Sequence, residues 1–176
     1  MTLSIIIPVF NEENTIIELL TAVINSKIGD LNKELIIVDD KSNDSTIKLI
    51  ENFIVKNKNT KIKLYKNKVN SGKGYSISQG IKNSSGDILI FQDADLEYDP
   101  GDYLKLIKPI INLQAKVVYG SRVLGKKRYR AKNFISLSRV FFNHVLTIFS
   151  NVINNQKLTD AHTCYKVFSS DIFKKI

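Results

Sequence analysis

"GDILIFQDADLEYDP", residues 86–100, decides the fold. Its apolar run, Ile88 to Phe91, has the length of a strand buried on both faces, and strands of that kind belong to parallel sheets covered by helices. The run stops at four carboxylates, Asp93, Asp95, Glu97 and Asp99. A strand that delivers so much negative charge to one place needs something cationic there.

Working outward, the first hundred residues alternate cleanly. "LSIIIPV" (3–9) and "KELIIVDD" (33–40) read as strands, and "KIKLYKN" (61–67) as a more exposed one. Between them, "NTIIELLTAVINS" (14–26) and "NDSTIKLIENFIVKN" (43–57) carry apolar residues at helical spacing, the second with Asn43 or Asp44 available as its cap. "GKGYSISQGIKNS" (72–84) reads as a helix leading into the strand of residues 86–92. Beyond Pro100 come a helix ("GDYLKLIKPIIN", 101–112), a strand ("KVVYGS", 116–121), a basic loop, and a long helix over about 133–152. This order predicts an α/β fold, with a mostly parallel central sheet and helices on both faces, in one domain spanning 1–176.

Ligands of such sheets bind beyond the carboxyl ends of the strands. Three polar clusters fall there: "PVFNEE" (8–13), "DDKSND" (39–44) and "QDADLE" (92–97). A dinucleotide-binding turn would need G-x-G-x-x-G after the first strand, where residues 8–13 hold no glycine; "NSGKGYS" (70–76) lacks the first glycine of a phosphate-binding P-loop. Phosphates would then be held by a divalent metal rather than by glycine amides. Asp93 and Asp95 bracket one small residue in extended chain, which aims both side chains to one side, and Mg²⁺ or Mn²⁺ takes one or two carboxylates plus substrate phosphates. Lys73 precedes a helix whose amino end favours anions, so it pairs with Asp93 or reaches a donor phosphate. Asp99 is expected to cap the helix after Pro100.

The net charge is +9, and it is unevenly spread. Residues 1–100 hold 12 Lys/Arg against 14 Asp/Glu; residues 101–176 hold 14 against 3. The second part should face something anionic. A single cysteine, Cys164, excludes an internal disulfide and points to a reducing compartment. The N-terminus has no basic leader, and no stretch reaches the ~20 apolar residues of a membrane span. The helix "NFISLSRVFFNHVLTIFSNV" (133–152) is so apolar that it packs beneath a neighbour or lies in a membrane interface; burial is the default expectation. His162 and Cys164 are read as packing residues, because nothing completes a metal site around them.

"SIIIPVFNEENTI" (4–16), "LIIVDDKSNDST" (35–46), the stretch 70–100, "VVYGSR" (117–122) and "LTDAHTCYKVF" (158–168) resemble, in this order, the motifs of family-2 glycosyltransferases of the GT-A fold. The nearest branch is the dolichol- and polyprenol-phosphate mannose or glucose synthases. The resemblance implies a hexosyltransferase that moves a sugar from a GDP- or UDP-linked donor to a lipid phosphate, inverting the anomeric centre with Mg²⁺ or Mn²⁺. By the same resemblance, Pro8, Phe10 and Glu12 surround the base and ribose and Asp39 hydrogen-bonds one of them. Lys73, Asp93 and Ala94 complete the donor site, and Asp93, Asp95 and Glu97 hold the metal. Glu97 stands where those synthases often carry glutamine.

Arg122, Arg128 and Arg130 would hold the acceptor phosphate, and Asp160 stands at the position of a catalytic carboxylate alongside Asp95. The expected setting is the cytoplasmic face of a membrane, with an anchoring segment or subunit outside this chain and no nucleic-acid partner. A glycan hydroxyl as acceptor is the alternative, which would make Asp160 an essential base. A non-catalytic binder of anionic polymer is the remaining reading, and it leaves the acidic edge unexplained.

Overall fold

The structure is a computed structural model, and it describes residues 1–121, 124 and 134–175. Among the described residues six strands form one sheet: β1 (Thr2–Val9), β2 (Asn32–Asp39), β3 (Lys61–Lys66), β4 (Ile88–Phe91), β5 (Val117–Tyr119) and β6 (Lys166–Ser169). The helices are α1 (Ile16–Asn25), α2 (Thr46–Lys56), α3 (Lys73–Asn83), α4 (Tyr103–Ile111) and α5 (Phe134–Asn154), with 3₁₀ turns at Pro100–Asp102 and Ser170–Lys175. The strand order is β3-β2-β1-β4-β6-β5. β1 runs parallel to β2 and β4, and β2 parallel to β3, while β6 pairs antiparallel with β4. The order reverses between β1 and β4, which opens a crevice at their carboxyl ends.

The apolar runs form strands because both their faces are covered. Ile5, Ile6, Ile7, Leu35, Ile36, Ile37, Ile88 and Ile90 are wholly buried. α3 lies unusually close to β1: a Cβ on Gly80 would sit 2.4 Å from Ile6 Cγ2, so only glycine admits this approach. The edge strand β3 is half-exposed and carries Lys61, Lys63 and Lys66, charges that discourage pairing with another chain. Asp99 caps the turn after it as expected, its Oδ1 accepting from the Gly101 N–H at 2.8 Å. Asp44 does the same for α2, accepting from the Thr46 N–H at 3.0 Å.

At the amino edge of the sheet, a wholly buried carboxylate fastens three strands. Glu34 of β2 accepts from Ser4 of β1 (2.7 Å) and from the Ser85 N–H (2.8 Å) before β4, and pairs with Lys61 (2.8 Å) and Lys63 (3.1 Å) of β3. Burial alone would raise its pKa, but these lysines and hydrogen bonds outweigh it and bring the value down to about 2.

The chain divides into two compact units, residues 1–118 with 167–176, and residues 119–166. The first contains α1–α4 and the sheet apart from Tyr119 and Lys166. The second contains α5, whose exposed side is apolar: Phe141, Phe142, Leu146, Phe149, Val152 and Ile153 all face solvent. The expectation that this helix is buried is therefore wrong along these positions. Its periodicity is that of a packed helix, yet among the described residues nothing covers the face. His162 is exposed and Cys164 half-buried, so the reading of His162 as a packing residue fails as well. Among the described residues no helix is long and apolar enough to cross a membrane.

Candidate active site

The loops after β1, β2 and β4 converge at the crevice, and each contains a non-glycine residue in the left-handed region: Asn11 (φ 55°), Lys41 (φ 69°) and Leu96 (φ 61°). Asparagine tolerates this conformation; lysine and leucine are held there at a cost, and such strain concentrates at functional sites. The first two loops are laced together. The Asn11 and Glu12 N–H groups donate to Ser42 Oγ and Thr46 Oγ1 (2.9 and 2.8 Å), while Asn11 Oδ1 and Glu13 Oε2 accept from the Asn43 and Ser45 N–H groups (both 2.9 Å).

A cavity of about 430 Å³ opens between these loops and the amino end of α3. Pro8, Phe10, Glu12, Lys73, Asp93, Ala94 and Asp95 line it, so the structure brings together seven of the residues expected to bind donor or metal. Phe10 is 46% exposed and offers its ring to the cavity mouth. Asp39 lies at the end of β2, wholly buried and outside the lining. Its Oδ2 accepts from the Lys41 and Ser42 N–H groups (both 3.1 Å), and its Oδ1 has no partner among the described residues. A buried carboxylate oxygen left unpaired is costly, and in a native site it commonly awaits a ligand.

The next residue, Asp40, lines the cavity instead, which the sequence reading missed. It accepts from Asn67 Nδ2 (2.7 Å) and from the Ser71 and Gly72 N–H groups (3.0 and 2.7 Å), and so fixes the start of α3. Burial works against its charge, but these hydrogen bonds outweigh it and keep the carboxyl below its ordinary range. Lys73, the first residue of α3, pairs with both oxygens of Asp93 (2.6 and 2.7 Å), as one of its two expected roles required.

Asp95 is exposed, and its Oδ1 accepts from the Glu97 N–H at 3.1 Å. Behind this loop stands a second element that sequence reasoning missed. Gln92, fully buried, donates from Nε2 to the Asp93 carbonyl (2.9 Å) and accepts from the hydroxyl of buried Tyr103 (2.7 Å). Among the described residues no three Asp, Glu, His or Cys side chains stand together as a metal cage. Asp93, Asp95 and Glu97 are not a preformed three-carboxylate site. The donor set still suits Mg²⁺ or Mn²⁺, which takes one or two carboxylates and completes its shell with substrate phosphate.

Arg122, Arg128 and Arg130 lie outside the described residues. Asp160 belongs to the second unit and is 5% exposed. In the same unit Thr147 Oγ1 accepts from the Ala161 N–H at 3.2 Å, and Asn151 clamps both backbone groups of Leu158 (2.8 and 2.9 Å), which holds the segment before Asp160 to α5.

Comparison with known proteins bears on this arrangement. The chain is 28% identical over 184 residues to a dolichyl-phosphate beta-glucosyltransferase of Dictyostelium discoideum, covering 99% of this chain and 56% of the relative. It is 31% identical over 148 residues to a dolichol-phosphate mannosyltransferase of Pyrococcus furiosus, covering 80% and 41%. The chain thus spans about half the length of these curated relatives. Among solved structures, the mannosyltransferase PcManGT from Pyrobaculum calidifontis, in complex with GDP-Man and Mn²⁺, superposes with a TM-score of 0.70 at 17% identity, covering 98% of this chain and 46% of that one. At that identity the likeness shows the fold alone, and the fold is GT-A. The family Glycosyl transferase family 2 matches residues 4–176, and the chain belongs to it.

Proposed function

We propose that this chain is the catalytic domain of a metal-dependent, inverting hexosyltransferase. It would move a mannose- or glucose-type sugar from a GDP- or UDP-linked donor to a polyprenyl or dolichyl phosphate at a membrane surface. The observation that carries this reading is the cavity at the strand-order reversal, where an exposed aromatic, a lysine and the Asp93–Asp95 pair face one space of nucleotide-sugar size. The named activities of the two dolichyl-phosphate relatives supply the acceptor class.

In this reading Pro8, Phe10 and Glu12 contact base and ribose, and the unpaired oxygen of Asp39 accepts a hydrogen bond from one of them. Asp95, with Asp93 or Glu97, would hold Mg²⁺ or Mn²⁺ between protein and diphosphate. Such a cation acts as a Lewis acid on the leaving diphosphate as the anomeric bond breaks. Ala94, between the two aspartates, lines the same cavity, and its small side chain would leave room for the diphosphate. Gln92 and Tyr103 hold the acidic loop in place before any ligand arrives, which removes ordering cost from binding.

The acceptor phosphate carries its own nucleophilic oxygen and needs cationic forks, for which Arg122, Arg128 and Arg130 are proposed. Asp160 then orients the acceptor or an arginine. The exposed apolar side of α5 would lie against the lipid surface that presents the acceptor, at the cytoplasmic face of a membrane, with the net positive charge of residues 101–176 favouring anionic head groups. The donor part is tested by calorimetry with GDP and UDP, in Mn²⁺ and in EDTA. We expect binding only with the metal, lost in Asp95→Asn while thermal stability stays unchanged. Equal binding in both buffers would refute the metal assignment.

A further inference from the structure

Four carboxylates line the cavity, Glu12, Asp40, Asp93 and Asp95, and Lys73 is the one cation among the described lining residues. Asp40 is already committed to the Asn67 side chain and to the backbone ahead of α3, and Glu12 Oε2 accepts from the Thr15 hydroxyl at 2.6 Å. Among the described lining residues Lys73 alone sets its charge against the Asp93–Asp95 pair, and it does so at Asp93, touching both oxygens. The lysine side chain is 56% exposed and Asp93 only 16%. Its flexible four-carbon stem, rooted at the amino end of α3 beside Gly72 (φ +87°), can therefore swing while the carboxylate stays fixed.

Resting on the donor reading of this cavity, we propose that Lys73 is a placeholder cation. In the donor-free protein its ammonium occupies the positive position beside Asp93. When the metal and diphosphate enter, their cation takes over that position, and the ammonium moves from the carboxylate to a donor phosphate. No bond is made or broken; the ion pair at Asp93 passes from the ammonium to the incoming cation, and Asp93 is never left without a positive neighbour. The magnitude suits an exchange. A partly exposed ion pair is weak, so the pair with Asp93 holds the site without resisting the donor. A charge-assisted lysine–phosphate hydrogen bond inside the filled cavity is stronger.

Changes of opposite sign follow for the two ligands. Mn²⁺ alone, titrated into donor-free Lys73→Met protein and read by electron paramagnetic resonance, should bind about two- to fivefold more tightly than to the unaltered chain. GDP or UDP in saturating Mn²⁺ should bind about tenfold more weakly. The Mn²⁺ gain should disappear when Lys73→Met is made in an Asp93→Asn background, because the exchange runs through that carboxylate. Lys73→Arg, which keeps the pair, should show no gain. A gain that survives Asp93→Asn overturns the proposal, since it would reflect only the general field. Parallel losses of metal and nucleotide affinity in Lys73→Met, with normal binding by the unaltered protein, overturn it alone. No Mn²⁺-dependent nucleotide binding by the unaltered protein overturns the donor reading and this proposal together.

Discussion

The Tyr103 hydroxyl donates a 2.7 Å hydrogen bond to Gln92 Oε1, and neither side chain is exposed. Gln92 sits one residue past β4 and Tyr103 opens α4, so this bond ties the two ends of the acidic loop across the residues between them. The amide of Gln92 then reaches the Asp93 carbonyl from inside.

Tyr103→Phe should lower stability by about 1–2 kcal/mol, the cost of removing a buried donor from its acceptor. Hydrogen exchange at the amides of residues 93–98 should speed up more than in the sheet. Gln92→Met, which removes both halves of the link, should do the same and should also weaken Mn²⁺-dependent nucleotide binding. Uniform exchange across the fold would make the pair a core contact with no special hold on the loop.

Asp39→Asn separates folding from binding. The amide keeps an oxygen for the Lys41 and Ser42 N–H groups and removes a buried charge, so stability in urea should stay level or rise. Nucleoside diphosphate affinity should fall about tenfold with its metal dependence intact. Unchanged affinity for both GDP and UDP would make the unpaired oxygen a structural accident.

Glu34 contributes to the acid sensitivity of the fold. Its folded pKa of about 2 lies below the ordinary value of 4.5. The stability it adds is therefore complete above about pH 4.5 and is lost as the pH falls towards 2. Urea midpoints measured from pH 6 to pH 2.5 should drop more steeply for the unaltered chain than for Glu34→Gln, which has no proton to take up. Parallel curves would mean that the lysine contacts contribute nothing.

Much of the fold was legible because β1, β2 and β4 are buried on both faces, and such strands announce themselves as unbroken apolar runs. β6 was not, because four residues that slot antiparallel between β4 and β5 owe their position to distant partners rather than to local pattern. The acidic edge was legible from its charge. Asp40 escaped notice because neighbouring strand-end residues point opposite ways, and only the fold shows which acid faces the cavity. Gln92 looked like the last residue of a strand; its role depends on a tyrosine eleven positions later. For α5, spacing shows that one side is apolar but cannot show whether anything covers it.

The acceptor is decided by comparing charge with base. In protein with measurable transferase activity, Arg122→Ala and Arg128→Ala should raise the KM for polyprenyl phosphate far more than that for the nucleotide sugar, at fixed ionic strength. Asp160→Asn should retain measurable turnover, since a phosphate monoester arrives ionised. Full activity in the arginine variants and none in Asp160→Asn would identify a hydroxyl acceptor instead.

The Gly120 N–H donates to the Tyr165 carbonyl at 2.8 Å, and the Ser169 N–H to the Lys116 carbonyl at 2.9 Å, so β5 and β6 close the stretch between them into a loop with fastened ends. Chain entropy makes such a loop cheap to lengthen: doubling it adds only about 0.6 kcal/mol. Changes of length between the two strands are therefore tolerated while the strands that carry the cavity keep their register. One cavity-bearing sheet can in this way be fitted, over evolutionary time or at the bench, with many different intervening segments.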